Sequence, residues 1–542
     1  MNRSALISMD RLGGPTGSAE RGSLLVNGEF RLADKIYPLP DMNIWRLADK
    51  HTHLQDEIHG FAWLDDLRDE GGKPAVSLAR RWLFEWVDRH SGNRKEHFSP
   101  QMAGRRIIRW LRNGRIILTM QDQSRQDAFG QALGAHADVL RRHRRSIGTG
   151  LARIELATGR VCAEVANGSG RDELTRAAVA LAKECRSVLS GTDGIASRNP
   201  EELFHILQYL NCAAAALHAA ELVPESDHRN SMDIAGAILR SLKHSNGTMA
   251  RFHGGGDIPT AISDRAVSEV GQAGPIKIRS AMGYARMLSG QTSAIIDVAA
   301  PPSHAASRNS HASTLAFEAV SGSCRLVVNR GSGQWLGLED RLAARATDAH
   351  SAVEVNRDSS SLLETPKIWK PTGVREFAKV PGEVRISQLP GRDGLTVIAS
   401  HNGYVPQFGL THMRRLDMSR NGGRLWGEDT IWAKPGTDRQ IHRRSIEEGH
   451  GNGAEVASRF HLHPDSTVRM LSGKRRVEVL LPNGEAWVFR FEGIARLEIE
   501  ASTYLDELAF EARSSSQIVL RSTTRNGAAQ FRWEFRRSPK AT

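Results

Sequence analysis

Residues 307 to 318, SRNSHASTLAFE, place one histidine at the head of an alternating apolar run, with Leu315 and Phe317 in the parity of His311 and Ser313. Side chains of a strand alternate faces, so a strand here would put the imidazole on the core-facing side. Two readings follow: a hydrogen-bonded core histidine, or a catalytic or metal-binding group at the rim of a sheet. A ring that titrates near neutrality suits the second. His253 stands in RFHGGGD (251 to 257), ahead of three glycines that permit either a plain turn or a close ligand approach. Tyr284 leads into the first alternating segment of the C-terminal half, as a cleft-facing phenol or an interface ring with a satisfied hydroxyl. Trp335, in RGSGQW, is a ligand-stacking or a core indole. Asn199-Pro200-Glu201-Glu202 reads as a helix start, with Asn as N-cap, Pro at the first helical position and acids near the positive end of the dipole.

These groups need elements to hold them. In PAVSLARRWLFEWVDRH (74 to 90), Leu78, Trp82 and Trp86 recur every four residues and predict an amphipathic helix. MAGRRIIRWLRNGRIIL (102 to 118), DELTRAAVALAKECRSVL (172 to 189) and the stretch from Arg198 to Pro224 carry similar patterning. The pattern changes near residue 280. RRVEVLLPNGEAWVFRFEG (475 to 493) alternates Val477, Val479 and Leu481, turns at Pro482-Asn483-Gly484, then alternates Trp487, Phe489 and Phe491, which predicts a hairpin. Helices followed by strands imply an α+β chain of two domains. The expected division is 1–44 as a disordered or extended lead-in, 45–275 helical, and 276–542 antiparallel sheet.

Composition narrows the function classes. The chain has 542 residues, 40% hydrophobic and 25% charged, and its four cysteines form no CxxC pair. That spacing argues against a zinc ribbon and a disulfide framework. No apolar run approaches the ~20 residues needed to cross a bilayer. The N-terminal segment has no apolar core of a secretory signal, which points to the cytoplasm. Lys and Arg number 73 against 61 Asp and Glu, a net charge of +12 that attracts polyanions. Basic groups such as RRHRR (141 to 145) are scattered, and neither a zinc-finger spacing nor an RNP-like aromatic motif occurs, so nucleic acid is not an expected partner.

Several phrases occur in order: DGIASRNPEELFH (193 to 205), RFHGGGDIP (251 to 259), the segment from MGYARMLSG to LVVNRGSG (282 to 333), ARATDAHSAVEVN (344 to 356), HNGYVPQFGLTHMRR (401 to 415) and SRFHLHP (458 to 464). Together they resemble the heparinase II/III-like family of polysaccharide lyases, over about residues 45 to 538. The resemblance implies an N-terminal α/α-toroid, an incomplete helical barrel, followed by antiparallel β-sandwich layers. It also implies β-elimination on a uronic-acid polysaccharide of glycosaminoglycan or alginate-like type. In that reaction a base removes the proton beside the carboxylate, an acid protonates the leaving oxygen, and a polar group neutralises the carboxylate.

On this resemblance His311 is the base or acid, with Tyr284 or His253 as its partner, and Asn199 faces the carboxylate. Arg198, Asn309, Trp335 and His412 are expected at the substrate, and His311 is expected to face the cleft between the two domains. The chain departs from the family pattern in places. Asn309 and His311 stand where two histidines separated by one residue are common, and Ile195 stands where a histidine or acid is usual. Some relatives hold a structural zinc, and the matching positions here are His311, Asn329 and His350. Neutral Asn329 replaces a carboxylate, so no tightly held zinc and no other cofactor is expected. Two functions remain open: a lyase, or a catalytically impaired glycan-binding or scaffold protein of the same fold. Relatives commonly work in the periplasm or cell envelope, against the cytoplasmic reading, and the oligomeric state is left open.

Overall fold

The structure is a computed structural model that describes residues 17–32, 35–90, 99–143, 148, 150–189, 191–271, 280–365, 375–391, 394–449 and 452–538. Residues 1–16, the end of the RRHRR run and the expected boundary near 275 lie outside the described residues. Two compact units are present, one made of Met1–Gly191, Glu202–Gly236 and Ala261–Ala273, the other of Thr192–Glu201, Ala237–Thr260 and Gly274–Thr542.

The first unit is helical because its apolar residues recur at helical spacing. In helix Gly72–His90 the stripe of Leu78, Trp82 and Trp86 is buried. Helix Pro100–Arg112 starts at Ser99, whose side chain accepts from the Met102 N–H, and Pro100 needs no donor there. Trp86 meets Trp110 edge-on at 5.6 Å and Trp63 meets Trp82 at 5.4 Å, an aromatic core formed by ring edges on ring faces. The lead-in expected over 1–44 is corrected where it is described. Helix Ala19–Val26 and an antiparallel pair, Glu29–Leu32 with Lys35–Pro38, occupy it, because Arg21 pairs with the buried Asp66.

The second unit is a β-sandwich. One eight-stranded sheet runs in the order Val384–Gly391, Gly394–Tyr404, Leu410–Ser419, Arg424–Trp432, Ala528–Arg537, Ala486–Gly493, Arg476–Leu480, Thr467–Met470. The other runs Arg496–Asp506, Glu511–Thr523, Glu455–Leu462, Cys324–Val328, Phe317–Ser321, Thr292–Asp297, Tyr284–Ser289, with Val353–Val355 paired to Glu455–Leu462. The expected hairpin is present, with Val479 opposite Trp487 and Val477 opposite Phe489. All four are buried, so the alternating pattern selects the register that puts them in the core. Phe317 stacks on Trp533 at 5.5 Å across the two sheets.

A polar group lies inside this apolar layer. Arg414 and Asp429, on neighbouring strands and both fully buried, form a two-pronged ion pair at 2.8 and 3.1 Å. Asp429 also accepts from Trp533 Nε1 and from Ser458 Oγ of the opposite sheet, both at 2.9 Å. Burial opposes the Asp429 charge, but Arg414 overcomes it and holds the carboxyl well below the usual range. Gly427 lies beneath the Trp533 ring, where an added Cβ would come within 2.2 Å of the indole. Gly427→Ala should therefore destabilise the protein by about 1–3 kcal/mol, read as a lower urea midpoint at unchanged slope. An unchanged midpoint would show that the indole can move aside.

Candidate functional site

The histidine-bearing segment is a braced loop, not the start of a strand. Residues His304–Asn309 form a short 3-10 turn, and the strand begins only at Phe317. Leu315 adopts a left-handed backbone at φ 65, a strain that surrounding bonds must hold. Arg414 supplies one brace, donating from Nη1 to the carbonyls of Leu315 (2.8 Å) and Ser351 (2.7 Å). Arg345 supplies another, donating to the carbonyls of Ser307, Ser310 and Arg375. Between these braces His311 is 3% exposed, which corrects the expectation of an open ring at the sheet rim. The bracing draws the loop inward because two arginines need carbonyls to satisfy their donors.

Proton positions around His311 follow from its partners. His350 Nδ1 lies 2.7 Å from the Ala346 carbonyl, so that nitrogen carries the proton. The Nε2 of a neutral His350 then accepts from His311 Nδ1–H at 3.0 Å. His311 Nε2 is left as a bare lone pair, buried and without a hydrogen-bond partner among the described residues. Burial pushes both rings away from protonation, His350 to about 4 and His311 well below its ordinary value. His350, His253, Arg345 and Arg341 add to the effect at His311. At neutral pH the ring can accept a hydrogen bond and is a weak proton acceptor.

The other expected proton carriers are committed elsewhere. His253 has a left-handed backbone at φ 49, and its Nδ1 accepts from the His311 backbone N–H at 3.2 Å. Its remaining proton on Nε2 faces Asp297 Oδ2 at 3.2 Å. Tyr284 is buried at the start of its strand, its hydroxyl donating to the Arg198 carbonyl at 2.6 Å. Burial raises that phenol well above its usual range, so it is a poor base. Arg198, expected at the substrate, is turned inward to Asp297 at 2.5 Å and donates to the carbonyls of Met282, Gly283 and Ala300. Asn199 caps helix Pro200–Ala219, its Oδ1 accepting from the Glu201 N–H at 2.8 Å.

His412 is corrected as a substrate residue. It is a buried link in the core, where His401 Nε2 lies 3.2 Å from its Nδ1 and Asp429 Oδ1 lies 3.0 Å from its Nε2. Trp335 is half-buried and meets Phe510 edge-on at 6.3 Å. The three glycines after His253 admit protein, not ligand: a Cβ at Gly254 would meet the Asn309 carbonyl at 2.7 Å. Asn309 itself is exposed and accepts from Arg341. The residues at the zinc position do not fit the ion. Asn329 Oδ1 accepts from the Ser351 N–H at 3.0 Å, and the His350 lone pair is committed to His311. Among the described residues no group of three His, Cys, Asp or Glu side chains could hold a metal.

Sequence reasoning missed Asp297, Arg345 and Arg414, the groups that organise the site. A signal for Asp297 existed: it ends the buried strand Thr292–Asp297, where an ionisable group needs a partner. Asp297→Asn removes the charge opposite buried Arg198, and a loss of about 3–5 kcal/mol at neutral pH is expected. Arg198 and His253 outweigh the burial of Asp297 and hold its pKa at about 2. Against about 4 in the unfolded chain, the carboxylate contributes fully above about pH 4 and loses its contribution as the pH falls to about 2. The stability difference between wild type and Asp297→Asn should shrink across that window in urea titrations. A difference that stays constant would remove Asp297 from this role.

Comparison with known proteins matches this geometry to a fold. Residues 271–534 match the family model described as Heparinase II/III-like, C-terminal. The chain is 27% identical over 498 residues to FtsZ-localized protein C of Caulobacter vibrioides, covering 88% of this chain and 81% of that protein. The solved structure of heparinase III is similar at a TM-score of 0.70 and 11% identity, covering 98% of this chain and 86% of that one. The heparan sulfate lyase HepC from Pedobacter heparinus is similar at a TM-score of 0.62 and 13% identity, covering 96% and 83%. At such identities the structures speak for the fold, and the fold agrees with the helical domain and β-sandwich described above. Residues 271–534 are similar to the Heparinase II/III-like C-terminal model, on a chain whose fold is that seen in heparinase III.

Proposed function

We propose that this protein binds an acidic, uronate-containing polysaccharide through a polysaccharide-lyase fold without cleaving it, and serves as a glycan-binding scaffold. One observation carries this reading: His311 is buried with its pKa pushed down, and the expected partners that would have to exchange a proton with it are committed elsewhere. Tyr284 donates to a backbone carbonyl, His253 is locked between Asp297 and the His311 N–H, and Asn309 has no proton to exchange. General acid–base catalysis needs a group with pKa near the working pH, within reach of the substrate. Buried neutral histidines and a buried phenol provide neither. The net charge of +12 favours an anionic polymer as ligand. The Caulobacter relative is named for where it localises and not for a reaction, which supports the scaffold role. A place in the cell envelope accords with such a ligand.

A second reading has one observation in its favour. The bare Nε2 of His311 is in the protonation state a base requires, so a lyase that opens the loop on binding substrate is the alternative. The two readings separate in one experiment. The purified protein is mixed with a panel of acidic polysaccharides, while the absorbance of unsaturated uronate and the retention of polymer are both followed. Retention without absorbance is expected. Steady growth of the absorbance, abolished in His311→Ala protein of normal stability, would overturn the scaffold reading in favour of the lyase.

A further inference from the structure

The second unit pairs its buried arginines with acids almost everywhere. Arg198 faces Asp297, Arg251 faces Glu507, Arg325 faces Asp257 and Arg414 faces Asp429. Among the described residues, two arginines beside His311 have no such acid. Arg345 is 1% exposed and donates only to backbone carbonyls. Burial, Arg341 and Arg375 lower its pKa to about 10, and no acid opposes them. Arg341, one helical turn earlier, is half-buried, and burial lowers its pKa too. Its side chain donates to Asn309 Oδ1 at 2.5 Å and forms no ion pair among the described residues. Gln334 donates to the Gly254 carbonyl at 2.5 Å, and Gly254 lies against Asn309.

Desolvating a cation is costly, and a protein normally offsets that cost with a counter-charge. Two neighbouring guanidiniums without one leave a local excess of positive charge, at an exposed asparagine. The planar fork of Arg341 suits a carboxylate, which it can engage with two parallel hydrogen bonds. We infer that Arg341, oriented by Asn309 and backed by Arg345, is the binding site for the carboxylate of a uronate sugar. The inference rests on the glycan-binding reading and names the group that reads the acid. Asn309 thereby gains a function that needs no proton transfer: it fixes the guanidinium and keeps an amide free for a sugar hydroxyl. The bare His311 Nε2 beneath the same loop is an unsatisfied acceptor, which a water bridging to the bound sugar would satisfy.

The test uses full-length protein and calorimetric titration with a uronate oligosaccharide and with the same oligosaccharide after reduction of its carboxyl groups. Wild type should bind the acidic form and discriminate against the reduced one. Arg341→Gln should weaken binding of the acidic form by about tenfold or more and erase the discrimination. Arg341→Lys should recover part of it, because charge remains while the fork is lost. Thermal unfolding of each variant reports whether the fold is kept, and the exposed Arg176→Gln of the helical unit serves as the unaffected control. Wild-type affinity in a folded Arg341→Gln protein would overturn the inference and leave the scaffold reading standing. Cleavage of the oligosaccharide, with binding still dependent on Arg341, would overturn the scaffold reading alone. Displacement of the sugar by inorganic phosphate at similar concentration would show a general anion site and overturn the uronate assignment.

Discussion

Arg414 and Asp429 are a buried ion pair whose remaining hydrogen-bonding capacity is distributed over both sheets and two loops. Asp429 accepts from His412, Trp533 and Ser458, while Arg414 reaches the carbonyls of Leu315 and Ser351. A pair of charges removed from water is favourable only when such additional bonds satisfy it. The geometry therefore fixes the position of five partners at once. Two of them flank the histidines: Leu315 lies four residues after His311, and Ser351 follows His350. The strained left-handed backbone at Leu315 is the local cost of meeting that constraint.

Everything at the candidate site follows from that inward pull. The stretch from Ser310 to Ala316 is buried, His311 loses its solvent, and a ring that titrates in water becomes a neutral acceptor. The same logic runs through the neighbouring groups. Asp297 gathers Arg198, His253 and the Ser313 hydroxyl, so the side chains most able to bind a ligand are turned toward one buried carboxylate. What remains at the surface is Asn309 with Arg341, a pair suited to recognition.

The comparisons show how far sequence can diverge while the fold is kept. Heparinase III and HepC match nearly the whole chain at 11% and 13% identity, with TM-scores of 0.70 and 0.62. Sheets and helices survive that divergence because they depend on apolar periodicity, which many sequences satisfy. Catalysis depends on individual groups in individual protonation states, which a shared fold does not guarantee.

The helical stripes of Leu78, Trp82 and Trp86, the hairpin about Pro482-Asn483-Gly484 and the cap at Asn199 were legible in the chain itself. Each is a local matter, since periodicity selects a face, turn residues select a reversal, and a side chain one residue from a helix selects its start. That helices largely precede the β-sandwich followed from the same signals. The site was only half legible. His311 and His350 were found because histidine is conspicuous, but their burial was not, because burial was imposed by Arg345 and Arg414. Arg414 lies about 100 residues away in sequence, and its bond to Leu315 spans 99. No local pattern encodes which carbonyl a distant arginine will find. Tertiary structure alone decided that Arg198 faces Asp297 while Arg341 forms no ion pair among the described residues, and with that the protonation states around His311.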